Sequence, residues 1–303
     1  MSGSALVAGV TVYRPDPALL FDLLHRLRRD GVSILVEIDG STGEAISTEM
    51  LESLRAEPRV DIAQAERNAG IGVALNRLVT RARAQGADRL LLFDQDSTPP
   101  PGLAAALSRR MDALSEAGER PAAIGPKPVA PEGASARYRA PRYPAMPQRP
   151  ARAGVVPVRF IITSGTLLDL AAIERVGPFR ADYVIDAIDT EWCFRAWRGG
   201  GSIWLAPDLA MEHRVGHDVV RRGPITFPRQ SPARMATYLR NQAHGMRLRH
   251  VPWQWKLRNL AYLPLQAVFY SLDQPRPVAS LRRLARAAMN GLAGRLGPLP
   301  PHL

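Results

Sequence analysis

The fold is decided by the stretch Arg89-Leu90-Leu91-Leu92-Phe93-Asp94-Gln95-Asp96-Ser97. Its run of consecutive apolar residues predicts a strand that is buried on both faces, as in a parallel sheet. Two carboxylates, Asp94 and Asp96, follow at positions i and i+2. Because ligands of open parallel sheets bind just beyond the carboxyl ends of the strands, both acids are expected at a ligand site.

Two acids at such a place repel each other unless a cation lies between them. Mg²⁺ and similar hard ions bind carboxylate oxygens and leave their remaining positions to phosphates and water. Asp94 and Asp96 therefore predict a binding site for a metal ion and the diphosphate that it coordinates. Considered alone, the same D-x-D pattern is also typical of a solvated turn that follows a strand.

The chain around this stretch alternates between strand and helix patterns. The first part predicts strands at Ala5–Val12, Ser33–Ile38 and Val60–Gln64, and helices from Asp16-Pro17 to Gly31, at Glu44–Ala56, at Ile71–Gln85 and at Gly102–Glu116. This alternation implies an α/β fold with a Rossmann-like, mostly parallel central sheet, right-handed crossovers and flanking helices.

The sequence pattern of the second part of the chain predicts shorter strands and helices, followed by helices alone toward the C-terminus. Strands are expected at Ala122–Gly125, Val155–Ile162 and Ser202–Leu205, and helices at Asp169–Val176, Asp189–Arg198, Pro232–His250, Val251–Ser271 and Val278–Leu292. The proline-rich segment Lys127–Pro150 is predicted to be a loop or arm.

The positive charge is concentrated at the C-terminal end. The chain has 303 residues and a formal net charge of +12, and from Thr226 to the end twelve Lys/Arg face one acid, Asp273. Residues 1–225 hold 28 basic and 27 acidic residues. We therefore expect two domains, 1–225 and a basic, aromatic helical region at 226–303, the second with an anionic partner.

Composition also limits the cellular setting. The single cysteine, Cys193, excludes an intramolecular disulfide. The N-terminus lacks the basic region that opens a signal peptide. No uncharged apolar segment reaches the roughly 18 residues that a spanning helix needs. These features lead us to expect a cytoplasmic protein.

A glycine-containing segment, Asn68-Ala69-Gly70-Ile71-Gly72-Val73-Ala74-Leu75-Asn76, precedes and opens a predicted helix. Free N–H groups and the helix dipole favour anions there. Small residues also allow a nucleotide to approach the backbone closely. A tight loop capped by Asn68 is the plainer interpretation of the same residues.

A second acidic cluster lies in Ile185-Asp186-Ala187-Ile188-Asp189-Thr190-Glu191-Trp192-Cys193. Crowded, half-buried acids have raised pKa values, which suits a general base. A solvated helix capped by Asp189 is the alternative. The run His213-Arg214-Val215-Gly216-His217 favours one histidine completing a carboxylate site over a zinc pair, although a lone histidine is often structural.

In this order the clusters resemble family 2 glycosyltransferases of the GT-A fold, and the bacterial rhamnosyltransferase branch in particular. The matching residues are Tyr13, Pro15, Asn68, Gly70, Ala74, Asn76, Phe93 to Ser97, Ser164 to Thr166, Ile185, Asp186, Asp189 to Cys193, Arg195, Ala196, His213, Gly216, Ser231, Pro232, Arg234, Tyr238, Arg240 and Asn241. The resemblance covers about residues 5–245. The combination of D-Q-D-S with the distant D-T-E-W-C-x-R-A makes it specific.

The resemblance implies a metal-dependent, inverting hexosyltransferase that uses a sugar nucleotide, with dTDP-L-rhamnose as the expected donor. It implies that Asp189 is the catalytic base and that Asp94, Asp96 and His213 hold Mg²⁺ or Mn²⁺. The donor is expected to contact Tyr13, Asp39, Asn68, Gly70, Asn76, Asp94, Ser164 and Gly165. The acceptor is expected to face Asp186, Glu191 and Trp192.

One departure concerns the turn after the second strand. The family usually has an Asp-Asn-Gly-Ser-like turn that contacts the nucleotide base, whereas this chain has Glu37-Ile38-Asp39-Gly40-Ser41. The preference for the base therefore stays open, and a UDP-sugar is the alternative donor. The expected acceptor is a hydroxyl of a saccharide or lipid-linked molecule in cell-envelope polysaccharide synthesis.

The C-terminal region combines arginines with Trp253, Trp255, Tyr262 and Tyr270. Aromatic residues favour the membrane interface and arginines attract anionic headgroups. We therefore expect peripheral association with the inner face of the plasma membrane. A helical cap with a solvated basic face is the plainer interpretation. A basic protein that binds nucleic acid or membrane without catalysis is the remaining alternative, although no nucleic-acid module is recognisable.

Overall fold

The structure is a computed structural model of the chain, and it describes residues 5–131, 133, 140–146, 149–213, 219–222, 225–228 and 230–298. The first part contains β1 (Leu6–Val12), α1 (Pro17–Arg29), β2 (Ser33–Ile38), α2 (Thr48–Arg55), β3 (Val60–Gln64), α3 (Ile71–Ala84), β4 (Arg89–Asp94) and α4 (Leu103–Glu116). The predicted alternation of strand and helix is confirmed.

The local signals explain where these helices begin. The Asp16 carboxylate accepts the N–H of Ala18 at 2.9 Å, and Pro17 is the first residue of α1, as predicted. Helix α2 begins later than the predicted Glu44 because Ser47 is its N-cap and accepts the N–H of Met50 at 3.2 Å.

The second part of the described chain is less regular. It contains β5 (Pro121–Val129), β6 (Val156–Pro157), β7 (Thr166–Asp169), α5 (Leu170–Val176), a 3₁₀ turn (Ala181–Tyr183), α6 (Ile188–Arg198), β8 (Ser202–Glu212), β9 (Val219–Arg222), β10 (Ile225–Pro228), α7 (Pro232–Gly245), α8 (Trp253–Leu272) and α9 (Pro277–Ala293). Strands β9 and β10 form a separate antiparallel pair.

Three predictions in this part are wrong. Strand β5 runs on to Val129, into the predicted loop, because shifts of its register against β8 at Pro121 and Pro126 accommodate the prolines. Only Val156–Pro157 of the predicted strand Val155–Ile162 is a strand. Strand β7 was not predicted at all. Residues 132, 134–139 and 147–148 of the predicted arm lie outside the described residues.

The strands form an eight-stranded sheet in the order β3-β2-β1-β4-β7-β5-β8-β6. Strands β1 to β4 are parallel, whereas β7 is antiparallel to both β4 and β5. The strand order reverses between β1 and β4, whose carboxyl ends are paired at Thr11 and Asp94. A topological switch point of this kind opens a crevice, and ligands of open α/β sheets bind there.

Helices cover both faces of this sheet. Leu23 of α1 and Leu107 of α4 are buried in the core on one face, and Leu78 of α3 and Trp192 of α6 are buried in the core on the other. Apolar residues of β4 alternate between these cores and are at most 2% exposed. The predicted strand buried on both faces, and with it the Rossmann-like fold class, is confirmed.

Helices α7, α8 and α9 form a separate core, to which Leu239, Leu263 and Leu284 contribute. Helix α7 also reaches the sheet region, where the His244 Nδ1 lies 2.9 Å from the Tyr183 hydroxyl. Within the described part of the chain, no helix combines the length and the apolar character required to cross a membrane.

Candidate active site

The two acids of the D-x-D pattern lie where β4 ends. Between them, Gln95 is bonded to the main chain of Tyr13 after β1: its Oε1 accepts the Tyr13 N–H at 2.7 Å and its Nε2 donates to the Tyr13 carbonyl at 3.1 Å. Gln95 thus fixes this turn at the switch point. Asp94 and Asp96, which flank it in sequence, are both half-buried.

The turn is also held from the side of β7. The hydroxyls of Ser97 and Ser164 lie 2.6 Å apart and both side chains are buried. The N–H of Gly165 donates to the carbonyl of Leu92 at 2.8 Å. Ser164 and Gly165, which were expected to contact the donor, therefore brace the acidic turn in this structure.

Asp94 has a perturbed carboxyl group. Its removal from water raises its pKa to about 7, and the negative charges of Asp96 and Asp189 act in the same direction, while Arg234 opposes them. The two acidic clusters, which are distant in sequence, therefore lie within electrostatic reach of each other. Such a concentration of negative charge is one that a bound cation stabilises.

A strained turn leads into the second acidic cluster. Val184, Asp186 and Ala187 have φ angles of +64°, +66° and +64°, in the left-handed region that residues with a Cβ rarely adopt. Each such residue costs on the order of 1–3 kcal/mol and persists only where its surroundings hold it. Helix α6 begins directly after this turn at Ile188.

Asn241 of α7 holds the strained turn. Its Nδ2 donates to the main-chain carbonyls of Tyr183 at 3.0 Å, Ile185 at 2.8 Å and Asp186 at 3.0 Å. The Arg240 guanidinium donates to Oδ1 of Asn241, at 3.0 Å from Nη2, which orients the amide. Both side chains are 1% exposed. A buried amide with these contacts fixes the backbone in front of α6.

Asp189 lies in the first turn of α6. Its Oδ1 accepts the N–H of Thr190 at 2.7 Å. The pKa of Asp189 is raised to about 6: burial is the largest cause, the hydrogen bond from Thr190 opposes it, and the charge of Asp186 acts in the same direction as burial. A carboxylate with this pKa is ionised at neutral pH and is also able to hold a proton, which suits a general base.

Asp186 is paired with a cation from α7. The Arg234 guanidinium donates from Nη2 to Oδ1 of Asp186 at 3.0 Å and from Nε to Oδ2 at 3.2 Å. The charge of Arg234 also reaches Asp94. Arg234 therefore brings positive charge to the place where the two acidic clusters meet.

The glycine-containing loop before α3 is fastened to the end of β2. Both carboxylate oxygens of Asp39 accept main-chain N–H groups, from Ala69 and from Gly70, at 2.8 Å each. Gly70 has a φ of +93°, and a Cβ there would lie 2.6 Å from the carbonyl oxygen of Val184. Asn68 is exposed and accepts the Gly70 N–H at 3.1 Å.

The predicted metal ligands are only partly grouped. Among the described residues, no three His, Cys, Asp or Glu side chains are arranged as a metal site. Burial lowers the pKa of His213, and the opposing effect of Asp96 places these two side chains within electrostatic reach. A catalytic Mg²⁺ needs only one or two carboxylates beside substrate phosphates, so the two acids fit such an ion. Residues 214–217 of the histidine pattern lie outside the described part.

Three other predicted site residues have roles in packing. The side-chain amide of Asn76 donates to the carbonyl of Phe179 and accepts its N–H, each at 2.9 Å. Glu191 is 4% exposed and is paired with Arg195 at 2.9 Å. Trp192 is 1% exposed and donates to the carbonyl of Gly177 at 3.0 Å.

These contacts place Glu191 and Trp192, both expected on the acceptor side, in the interior of the protein. An acceptor reaches only side chains that have solvent-accessible surface, and neither Glu191 nor Trp192 has enough of it. Trp192 instead lines the same small, partly open pocket as Asp189. Asp186, with 13% of its side chain exposed, is the one that remains accessible.

Arg234 and Asn241 are among the residues that match the family, but the resemblance implies no role for either of them. Their partners lie in the turn before α6, far away in the sequence. The only signal available was the pattern of polar residues on the helix predicted at Pro232–His250.

The chain is similar to known proteins in sequence and in fold. No known family model matches the chain. The dTDP-rhamnosyl transferase RfbF of Shigella flexneri is 25% identical over 304 residues, which cover 97% of this chain and 97% of that protein.

Solved structures show the same architecture. TarS 1-349 of S. aureus matches with a TM-score of 0.58 and 15% identity, over 96% of this chain and 82% of that chain. GalNAc-T7, solved with UDP, GalNAc and Mn²⁺, matches with a TM-score of 0.58 and 14% identity over 99% of this chain. The chain spans 59% of the length of the GalNAc-T7 chain.

At these identities the structural likenesses show the fold alone, while the likeness to RfbF is one of sequence. The predicted resemblance is thereby confirmed: the chain has the GT-A fold of glycosyltransferases and is similar over almost its whole length to a rhamnosyltransferase, which supports a glycosyltransferase function.

Proposed function

We propose that the protein is an inverting glycosyltransferase that moves L-rhamnose from dTDP-L-rhamnose to an acceptor hydroxyl. The observation that carries this proposal is the convergence of the two acidic clusters, because Asp189 is close enough to raise the pKa of Asp94. One cluster lies at the switch point of the sheet, where a nucleotide is expected. The other supplies a carboxylate suited to accept a proton.

The proposed reaction is a single displacement. The acceptor oxygen attacks the anomeric carbon from the face opposite the diphosphate, and a new carbon–oxygen bond forms as the bond to the phosphate oxygen breaks. The hydroxyl proton passes to the Asp189 carboxylate. The nucleoside diphosphate leaves with the electron pair and carries the added negative charge, and the configuration at the anomeric carbon inverts.

Asp94 and Asp96, with His213 beside Asp96, would hold a Mg²⁺ or Mn²⁺ ion, which offsets the charge that develops on the leaving diphosphate. Arg234 adds a fixed positive charge on the same side as Asp94. Gln95 and Ser97 hold the acidic turn in place, so its carboxylates are pre-oriented before the donor binds.

The donor is proposed from the printed activity of RfbF, a dTDP-rhamnosyl transferase. A UDP-sugar is the second candidate, because TarS was solved with UDP-GlcNAc and GalNAc-T7 with UDP and GalNAc. In this chain Asp39 is committed to the main chain of Ala69 and Gly70. We therefore propose that Asp39 shapes the donor pocket through the loop it holds.

The proposed acceptor is a saccharide or lipid-linked hydroxyl in cell-envelope polysaccharide synthesis, used at the inner face of the plasma membrane. The basic, aromatic C-terminal helices support this location. A non-catalytic basic protein is the competing reading. It gives no role to the raised pKa values of Asp94, at the switch point, and of Asp189, within electrostatic reach of Asp94.

The direct test is the variant Asp189→Asn. Loss of a general base should lower transfer by more than about a hundredfold. Donor affinity should stay within a few-fold, because Asp189 acts on the acceptor side. Transfer is measured with dTDP-L-rhamnose and with UDP-sugars, and donor affinity by thermal shift with the same panel.

The control is Asp22→Asn, which removes an equal charge from an exposed ion pair on α1 and should leave transfer unchanged. Full transfer by Asp189→Asn would exclude this residue as the base. If a UDP-sugar raises the melting temperature of the protein and dTDP-L-rhamnose does not, the donor is a UDP-sugar and the proposed reaction is otherwise unchanged.

A further inference from the structure

Helix α8 has an exposed face that is apolar along most of its length. From Leu260 to Leu272 every exposed position carries an apolar residue, and the set is Leu260, Ala261, Pro264, Leu265, Val268 and Leu272. Trp253 and Leu257, which are 67% and 58% exposed, extend this apolar face toward the start of the helix. A helix on a water-facing surface normally presents polar residues there.

The opposite side of α8 is also apolar, and it is already occupied. Leu263, Ala267 and Tyr270 are buried in the core that α8 shares with α7 and α9. The orientation of α8 is therefore fixed by its packing, and the apolar face has no further partner within the described part of the chain. Helix α8 buries one apolar side against α7 and α9, so its other apolar side is left exposed.

Helix α9 repeats the pattern. Val278, Leu281, Met289 and Leu292 are exposed and recur at helical spacing, while Leu284 and Ala287 are buried in the same core as α8. Arg282 and Arg286 are exposed beside this second stripe.

Positive charge borders the apolar face of α8. At the 100° turn per residue of an α-helix, Lys256 and Arg258 fall on the two edges of the stripe. The Arg258 guanidinium lies 5.0 Å from the ring centres of both Trp255 and Tyr262. Between residues 230 and 298 there are eleven Lys/Arg and a single acid, Asp273.

We infer that α8 lies flat in the surface of an anionic lipid bilayer, with its apolar face inserted among the acyl chains. The flanking Lys256 and Arg258 then meet lipid phosphates, and the exposed Trp253 ring lies at the headgroup level. The helix has 20 residues and is about 30 Å long, enough for a long contact in the plane of the surface. The inference rests on the proposed location and does not depend on the transfer chemistry.

A second copy of the chain fits this face less well. Two copies that joined their apolar faces would bring the basic borders of both helices together, with Asp273 as the only acid of the region to offset them. Like charges across an interface oppose association. An anionic lipid surface instead offers the opposite charge along the whole border.

The test compares the full-length protein with the double variant Leu260→Glu, Leu265→Glu. Both side chains are exposed, at 60% and 48%, so the substitutions leave the core intact. The matched control, Ala84→Glu with Ala105→Glu, adds the same charge at exposed positions of α3 and α4. Deletion from Val251 onward is less informative, because it removes the core partners of α7.

Flotation with vesicles of phosphatidylcholine, with and without phosphatidylglycerol, is the measurement. We expect the unaltered protein and the control to float with the anionic vesicles. The double variant should partition at least about tenfold less, since two exposed leucines that would insert among the acyl chains are replaced by charged groups.

Each other result contradicts the inference in a distinct way. If the double variant floats as well as the unaltered protein, the protein binds the membrane but not through the exposed face of α8. Absence of flotation for the unaltered protein would reject the lipid partner. If the unaltered protein is a dimer in analytical ultracentrifugation, the double variant is a monomer and neither binds vesicles, the exposed face of α8 is an interface with a second copy of the chain. Transfer to a soluble acceptor is assayed in parallel, because it tests the chemistry separately.

Discussion

At the scale of single residues, the candidate site is a balance of charges. Asp96 and Asp189 both lie within electrostatic reach of Asp94, and Arg234 is a cation that offsets them. Burial of Asp94 and the charges of the two neighbouring carboxylates outweigh Arg234, so the pKa of Asp94 remains raised, at about 7. A divalent ion and the diphosphate it brings would complete the balance.

The variant Asp96→Ala tests this balance. It removes one of the two carboxylates expected to hold the ion, so transfer should fall by about a hundredfold or more, the range lost with a major electrostatic contact. The thermal shift that Mn²⁺ produces in the presence of donor should also disappear. Glu52→Ala, which removes an exposed acid from α2, is the control. Transfer by Asp96→Ala that equals the unaltered enzyme and resists a chelator would contradict the metal assignment.

At the scale of elements, α7 acts as a support for the turn that precedes α6. The three positive φ angles at residues 184–187 are locally unfavourable, and the contacts from Asn241 and Arg234 hold them. Helix α9 in turn packs closely on α7: a Cβ at Gly291 would lie 2.0 Å from the carbonyl oxygen of Arg240. The position of Asp189 therefore depends on helices far along the chain.

The variant Asn241→Ala should release this turn. We expect kcat to fall by at least about tenfold, because small displacements of a reacting group carry large costs. The KM for the donor should change little, since the β4 end is unaffected. The control is Asn259→Ala, an equally buried asparagine that donates to Gln242 at 2.8 Å. Equal losses of kcat in both variants would indicate general destabilisation and reject a positioning role for Asn241.

At the scale of the whole molecule, the C-terminal helices and the sheet region share a buried charge cluster. His250, between α7 and α8, lies 2.8 Å from Glu191 of α6, which also binds Arg195. Beside it, the rings of Phe160, Phe194 and Trp255 pack edge to face, 5.4–6.2 Å apart. Helix α8 and the segment before it are thus attached to the sheet region through both polar and aromatic contacts.

The pH dependence of stability should report this attachment. Burial acts to raise the pKa of Glu191, but the hydrogen bond from His250 and the charge of Arg195 outweigh it and hold the pKa below its usual value. The ionised carboxylate therefore stabilises the folded protein above the unfolded-state pKa of glutamate. This stabilisation is lost as the pH falls through the lower folded-state pKa.

Glu191→Gln should lower the free energy of unfolding by about 1–3 kcal/mol near neutral pH, measured by denaturant titration. The difference from the unaltered protein should shrink in acid. Glu174→Gln, at an ion pair whose acid is 67% exposed, should change stability little. If the difference in the free energy of unfolding between Glu191→Gln and the unaltered protein does not change with pH, the ionised Glu191 carboxylate is not the source of this stability.

Local patterns were sufficient for the regular half of the fold. Strands β2 and β3 have the predicted bounds, and β2 is a short, mostly apolar run closed by the turn Asp39-Gly40-Ser41. Strand β7 escaped prediction because its four residues pair antiparallel between two longer strands, and that pairing alone makes them a strand. The prolines of β5 indicated a loop, and only the paired β8 shows how a strand accommodates them.

The amino-acid sequence alone predicted the alternation of strands and helices, the acidic residues of the candidate site and the basic character of the C-terminal end. Each of these depends on residue type and spacing along a few turns of chain. Only the tertiary structure decided that Glu191 and Trp192 are buried, that Asp39 holds a loop, and that Arg234 and Asn241 support the turn before α6. Such contacts join residues separated by long stretches of chain, and no local periodicity encodes which of them meet.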